Sequence, residues 1–263
     1  MDIEERNLRQ IEQLNQRGGR TLSIVDLIEA GTITAEMAAL CWMRMAAGAS
    51  LLTGAVPGGA GKTTLMAAIM GFLPEGETIV TVADRAALEA AGAGRLPAPA
   101  TALVHEIGPG HWYGYLWGRD AADFFALGSR ARRASCLHAD DPDQAADLLR
   151  PLGVSRDDLE GVGLQLYMCA DMHHGRVRRR VSSLYCRADG RFGALYRLDG
   201  IRGRFESLVG REEVCRTFDA QSNGPASSDE DWRAREQFLD QLLRDGVRAY
   251  ADVRRAVVAR DRG

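Results

Sequence analysis

Apolar positions along this chain follow two rhythms, and the change between them divides it. In the polar opening stretch, Ile3, Leu8, Ile11 and Leu14 recur at near-helical spacing up to Gly18-Gly19, which predicts an amphipathic arm over residues 1–20. Ser23–Glu29 and Thr34–Ala47 read as two helices broken at Gly31. Short apolar runs of strand length then alternate with helical segments. The strands are Ser50–Ala55, Thr78–Ala83, Thr101–Glu106 and Ala134–His138; the helices are Thr63–Phe72, Ala86–Ala91, Ala121–Leu127 and Pro142–Leu149. Such alternation specifies an α/β fold, a mostly parallel sheet wrapped by helices.

Past residue 150 the texture changes. Val162–Cys169, Arg176–Arg187 and Ala194–Leu198 read as strands joined by turns at His174-Gly175 and Asp189-Gly190, an antiparallel meander beside the main sheet. Gln221–Asp229 has the composition of a linker, and Asp231–Ala259 reads as two helices meeting near Asp245-Gly246. The organisation expected is an arm over 1–20, an α/β domain over 21–220, and a linker with C-terminal helices over 221–263.

Composition narrows the classes. With 46% hydrophobic residues the chain can fill a large core, and a net charge of −3 gives no reason to expect nucleic acid as a partner. The five cysteines are scattered and form no Cys-x-x-Cys pair, which fits a reducing cytoplasm better than a disulfide or zinc framework. The charged start lacks the layout of a secretory signal, and the longest apolar region, Met37–Pro57, contains Arg44; no transmembrane segment is expected. Basic residues are almost all arginine. The single lysine, Lys62, stands inside the most informative motif of the chain.

That motif is GAVPGGAGKTT, Gly54–Thr64, between a strand and a helix. Backbone N–H groups of a glycine-rich turn, with the helix N-terminus behind them, form a concave donor surface for phosphate. Gly58, Gly59, Ala60, Gly61, Lys62, Thr63 and Thr64 are the predicted nucleotide-binding residues; Lys62 would reach the β and γ phosphates and the Thr63 hydroxyl would ligate Mg²⁺. Val56 stands where the pattern wants glycine, and Pro57 removes one donor. Gly54 can still ease the exit from the strand. ATP and Mg²⁺ are therefore the cofactors expected.

The stretch from Arg20 to Pro74 resembles the catalytic domain of the type II/type IV secretion ATPase superfamily, most closely its archaellum and pilus motor branch. TIVTVADRAAL (Thr78–Leu88) is similar to the family's aspartate box, LVHEIG (Leu103–Gly108) to its Walker B strand, and CLHADDPDQAADLL (Cys136–Leu149) to its histidine box. GRVRRRVSSLYC resembles the family's basic strand, and the C-terminal helices resemble its closing helices, so the likeness runs over about residues 20–260. It implies a RecA-like P-loop fold, ATP hydrolysis, Glu106 holding Mg²⁺ through water, and catalytic parts for Asp84 and His138. It also implies a homo-oligomeric ring, or a mixed oligomer with a related ATPase. Such an assembly would act on a membrane platform protein of a pilus, archaellum or secretion machine, in the cytoplasm or at the inner face of the cell membrane.

The family pattern is incomplete here. The two glutamates of the aspartate box fall on Ala83 and Ala87, leaving Asp84, which reads equally as a helix N-cap. The threonine before His138 is Cys136, the earlier sensor histidine falls on Arg130, and the Walker B arginine on Gly108. Arg130 reads as a phosphate contact or as part of a solvated basic face with the rest of RARR (130–133). Trp112, Tyr113, Tyr115 and Trp117 read as a packed loop or subunit interface, or as a stacking surface. Family members carry an N-terminal domain that clamps the nucleotide with arginines, and about twenty residues stand in its place here, so the clamp is expected to be lacking or supplied by a neighbour. Two functions follow: a hydrolysing ATPase, or a pseudo-ATPase serving as a regulatory or structural subunit beside an active paralogue.

Overall fold

The computed structural model describes residues 2–15, 18–188, 191–219 and 228–262. In chain order the elements are α1 (Ile3–Gln13), α2 (Ile24–Glu29), α3 (Ala35–Ala46), β1 (Leu51–Gly54), α4 (Lys62–Met70), β2 (Thr78–Thr81), α5 (Arg85–Gly92) and β3 (Ala100–Ile107). They continue with β4 (Tyr115–Leu116), α6 (Arg119–Phe125), β5 (Arg132–Leu137), α7 (Pro142–Leu149), α8 (Arg156–Glu160), β6 (Leu164–His173), β7 (Arg176–Ala188), β8 (Arg191–Asp199) and β9 (Arg204–Ser207). The helices α9 (Arg211–Asp219), α10 (Asp229–Arg244) and α11 (Tyr250–Arg262) close the chain. The Asp189-Gly190 turn and residues 221–227 of the expected linker lie outside the described residues.

The strands form one sheet in the order β2-β3-β5-β1-β6-β7-β8-β9, with β4 added to β3. Strands β1 to β6 pair in parallel, and β6 to β9 pair antiparallel. This is the mixed α/β, mostly parallel architecture with a meander that the sequence predicts. The meander, however, extends the main sheet instead of standing beside it, because β6 pairs with β1 on one side and β7 on the other.

Alternation along the buried strands feeds two cores. Leu51 faces a core built with α2, α3, α4, α10 and α11, whereas its neighbour Leu52 faces one built with α5, α6, α7 and α8. In the first core Trp42 stacks on Phe72 with ring centres 5.3 Å apart, carries the guanidinium of Arg235 at 4.6 Å, and donates its Nε1–H to Asp261 Oδ2 at 2.9 Å. The C-terminal helices thereby cover the face behind β1. Helix starts follow local chemistry: Ser23 and Asp26 form a capping box on α2, and Thr34 caps α3.

The opening arm is docked. Ile11 and Leu14 enter the first core, and the Asn7 side chain donates to Glu77 O at 2.7 Å and accepts from Ile79 N at 2.8 Å on β2. Among the described residues no helix is long and apolar enough to cross a membrane.

Candidate functional site

β1 leaves the sheet at Gly54, where the chain has no room for a side chain. A Cβ there would lie 2.5 Å from Tyr167 Cδ1 and 2.6 Å from the Ala139 carbonyl oxygen. Gly54→Ala is accordingly expected to lower stability by about 1–3 kcal/mol, read as a lower urea midpoint at unchanged slope. Gly59 and Gly61 hold φ of +80° and +99°, a region glycine occupies without strain, and Gly61 precedes α4 with no side chain capping its first N–H groups. The turn presents unclaimed donors to whatever lies in front of it.

Val56, the departure from the glycine pattern, is fixed through its backbone. Its N–H donates to Asp140 Oδ1 at 2.7 Å, and its carbonyl oxygen lies 2.9 Å from His138 Nδ1. A carbonyl can only accept, so Nδ1 carries the hydrogen and Nε2 is left to face the site. The side chain of Val56 is exposed.

Lys62 opens α4 and is buried, with Nζ 3.7 Å from Glu106 Oε2. Its carbonyl accepts from Thr53 Oγ1 at 3.1 Å, tying the start of the helix to β1. Glu106 lies where the β3 register against β5 shifts, between Val104 and Ile107. This irregularity turns neighbouring residues His105 and Glu106 toward one cavity, whereas a regular strand would send them to opposite faces. Glu106 Oε1 lies 3.8 Å from His138 Nε2 and has no hydrogen-bond partner among the described residues. Burial pushes the Glu106 carboxyl above the usual carboxylate range, against the opposing pull of Lys62 and His138.

Thr63 and Thr64 are half-buried on the same cavity, with Thr63 Oγ1 4.0 Å from the Cys136 thiol. Burial pushes that thiol up to about 12, so it is a neutral filler of the core. Asp84 stands elsewhere: its Oδ1 accepts from Ala87 N at 2.8 Å as the N-cap of α5, and it does not line the cavity. Arg130 is exposed and also away from the cavity.

The rest of RARR departs from a solvated face. Arg132 pairs with Glu77 at 3.1 Å, and Arg133 turns inward onto the carbonyls of Phe125 and Gly161. Of the aromatic loop, Trp112 and Tyr113 are exposed. Trp112 packs on Tyr115, which lines the cavity, and Tyr113 packs edge-on against His105.

His105 carries no motif that would single it out in the sequence. It is 3% exposed, both ring nitrogens lack a partner among the described residues, and burial pushes its pKa down, so it is a neutral imidazole. A second residue is Arg179 of β7, inside the GRVRRRVSSLYC stretch, whose Nε donates to the Gly59 carbonyl at 2.7 Å across 120 residues of chain. The motif marks a basic strand, but nothing local says which of its arginines meets the turn.

The cavity these groups share measures about 1300 Å³. Its lining combines the glycine turn with Lys62 and Glu106, Leu14 and Asn15 of the arm, Leu22 and Leu27, and the tip of the β6–β7 hairpin, which meets the turn through Arg179. The arm thus supplies a wall of the same cavity. Together the fold and the site define a mixed α/β protein in which a glycine turn and a buried lysine–carboxylate pair open at the C-terminal edge of parallel strands, where such folds gather ligands.

No protein-family model matches the chain, and no curated protein does. Among solved structures, the VirB11 ATPase from the type IV secretion system of Brucella suis, in complex with sulphate, is similar over 71% of this chain at 16% identity and a TM-score of 0.40. The chain spans 62% of the length of that structure. The likeness is too distant to assign residues, and the functional reading rests on the site's own geometry.

Proposed function

We propose that this chain binds ATP with Mg²⁺ and hydrolyses it, as a P-loop protein of the type II/type IV secretion ATPase kind. The observation that carries the reading is the pairing of buried Lys62 with buried Glu106 in front of a turn held open by left-handed Gly59 and Gly61. Two buried charges are costly to keep unless a ligand offsets them. A triphosphate would take Lys62 Nζ and the free N–H groups of residues 58–64, releasing Glu106 for other partners.

The donors present suit Mg²⁺: Thr63 offers a hydroxyl and Glu106 the oxygen Oε2 that Lys62 would give up to phosphate, and this ion keeps waters and phosphate oxygens in most of its shell. When bound, the ion would neutralise charge on the β and γ oxygens. Glu106 Oε1 is the acceptor available to an attacking water, and His138 Nε2 beside it is fixed in direction by the bond from Nδ1 to Val56. By the sequence resemblance of its phosphate loop and boxes, the chain would work in a ring or mixed oligomer, on the cytoplasmic side of a membrane platform protein.

One observation favours the second reading, a pseudo-ATPase. Asp84 is engaged as a helix cap, and Ala83 and Ala87 beside it carry no acid, so this stretch adds no carboxylate to Glu106.

The test is equilibrium binding of Mg-ATP to the purified chain with steady-state turnover measured beside it. Binding together with turnover that Glu106→Gln abolishes is the expected result. Binding with turnover at background would select the pseudo-ATPase, and no binding at millimolar ATP would overturn both readings.

A further inference from the structure

The β6–β7 hairpin reaches over the glycine turn and brings cations with it. Its strands pair from Leu164↔Cys186 out to His173↔Arg176, and the two-residue connection His174-Gly175 has φ of +48° and +75°, the left-handed pair of a tight hairpin turn. Along β7 side chains alternate. Arg178 and Arg180 both bond Asp171 on the neighbouring strand, and the two guanidinium groups hold that carboxyl at about 2, well below its usual range. Arg179, between them, points the other way, onto the turn.

Its contact there is specific. The Arg179 stem passes over Gly61, with Cδ 3.4 Å from where a Cβ would stand, and Nε donates to Gly59 O. The two Nη atoms have no partner among the described residues, although Arg179 lines the cavity. Of the other charges on that cavity, Lys62 is matched by Glu106, Arg20 by Asp26 and Arg178 by Asp171, while Arg176 at the hairpin tip has no ion pair among the described residues. A triphosphate brings several negative charges to a turn whose only lysine is already compensated. Of the two arginines without an ion pair, Arg179 is the one bonded to that turn, with a planar fork suited to phosphate oxygens.

We propose that Arg179 contacts the terminal phosphate of the bound nucleotide in cis, Nε staying on the turn while the Nη edge takes phosphate oxygens, so that the site discriminates triphosphate from diphosphate. The proposal rests on the nucleotide-binding reading above. It also places within this chain an arginine of the sort expected from a clamp.

The experiment compares wild type, Arg179→Met and Arg179→Lys, with affinities measured by calorimetry for a non-hydrolysable ATP analogue and for ADP, each with Mg²⁺, and with thermal unfolding as a check of folding. Arg179→Met keeps the stem over Gly61 and removes the fork. It is expected to weaken the triphosphate analogue about tenfold or more and ADP about threefold or less. Arg179→Lys, a point charge without the second edge, should recover part of the difference. An unchanged ratio between the two affinities overturns the proposal, whether neither moves or both fall together, since a residue that only braces the turn would affect both nucleotides alike. If wild type binds neither nucleotide, the nucleotide reading itself fails, a result distinct from binding with an unchanged ratio.

Discussion

Lys62→Ala is expected to reduce nucleotide affinity by about a hundredfold or more, because it removes the cation and leaves the carboxylate. Each charge-assisted hydrogen bond from the ammonium to phosphate is worth about 1.5–3 kcal/mol. Glu106, no longer compensated at 3.7 Å, would then face the phosphates as a like charge. Calorimetry with Mg-ATP reads this directly. A residual affinity within threefold of wild type would show that the turn alone does the binding.

The same variant should change its stability with pH. A carboxyl whose folded pKa is raised contributes stability fully present below the unfolded pKa and lost as pH rises through the folded one. Without Lys62 the Glu106 pKa rises further. The variant's deficit against wild type should therefore be larger at pH 8 than at pH 5, measured by urea unfolding at both.

Glu77→Gln is expected to be the most destabilising single change away from the site, at about 3–5 kcal/mol. Glu77 and Arg132 are both buried, 4% and 8% exposed at their side chains, and meet at 3.1 Å, with Thr101 donating to the same carboxylate oxygen. Burial already pulls the Arg132 pKa down, so the ion depends on its partner. Removing the carboxylate strands a guanidinium whose Nη1 already has no hydrogen-bond partner among the described residues. A fall in melting temperature of roughly 10 °C is the expected reading. The double variant Glu77→Gln, Arg132→Met should recover most of it, because the cost lies in the uncompensated charge; equal losses in single and double variants would refute that account.

The glycine turn and the strand–helix alternation were legible because both are local. A strand needs a short apolar run and a turn needs its glycines, so β1, β2, β3, β5 and the helices between them follow from spacing alone. Short elements such as β4, β9 and α8 escaped, since two to five residues carry too little periodicity. Within the site, Lys62, Thr63, Glu106 and His138 were readable from their motifs, and they converge on one cavity.

What could not be read depends on distance along the chain. Arg179 meets Gly59 only because β6 pairs with β1 and returns as a hairpin. His105 turns inward only because the β3 register slips. Arg132 and Arg133 look like a solvated basic run until the sheet places them beside Glu77 and the Phe125 carbonyl. Asp84 had equal claims as an acid and as a cap, and its bond to Ala87 N is the cap.

The Asn7 side chain carries a consequence for assembly. By donating to Glu77 O and accepting from Ile79 N, one amide group reproduces what a residue of a neighbouring parallel strand would offer β2. That border of the sheet is sealed against growth, the hazard exposed strands otherwise present. Copies of this chain that associate on that flank must do so through side chains and loops, leaving each sheet separate.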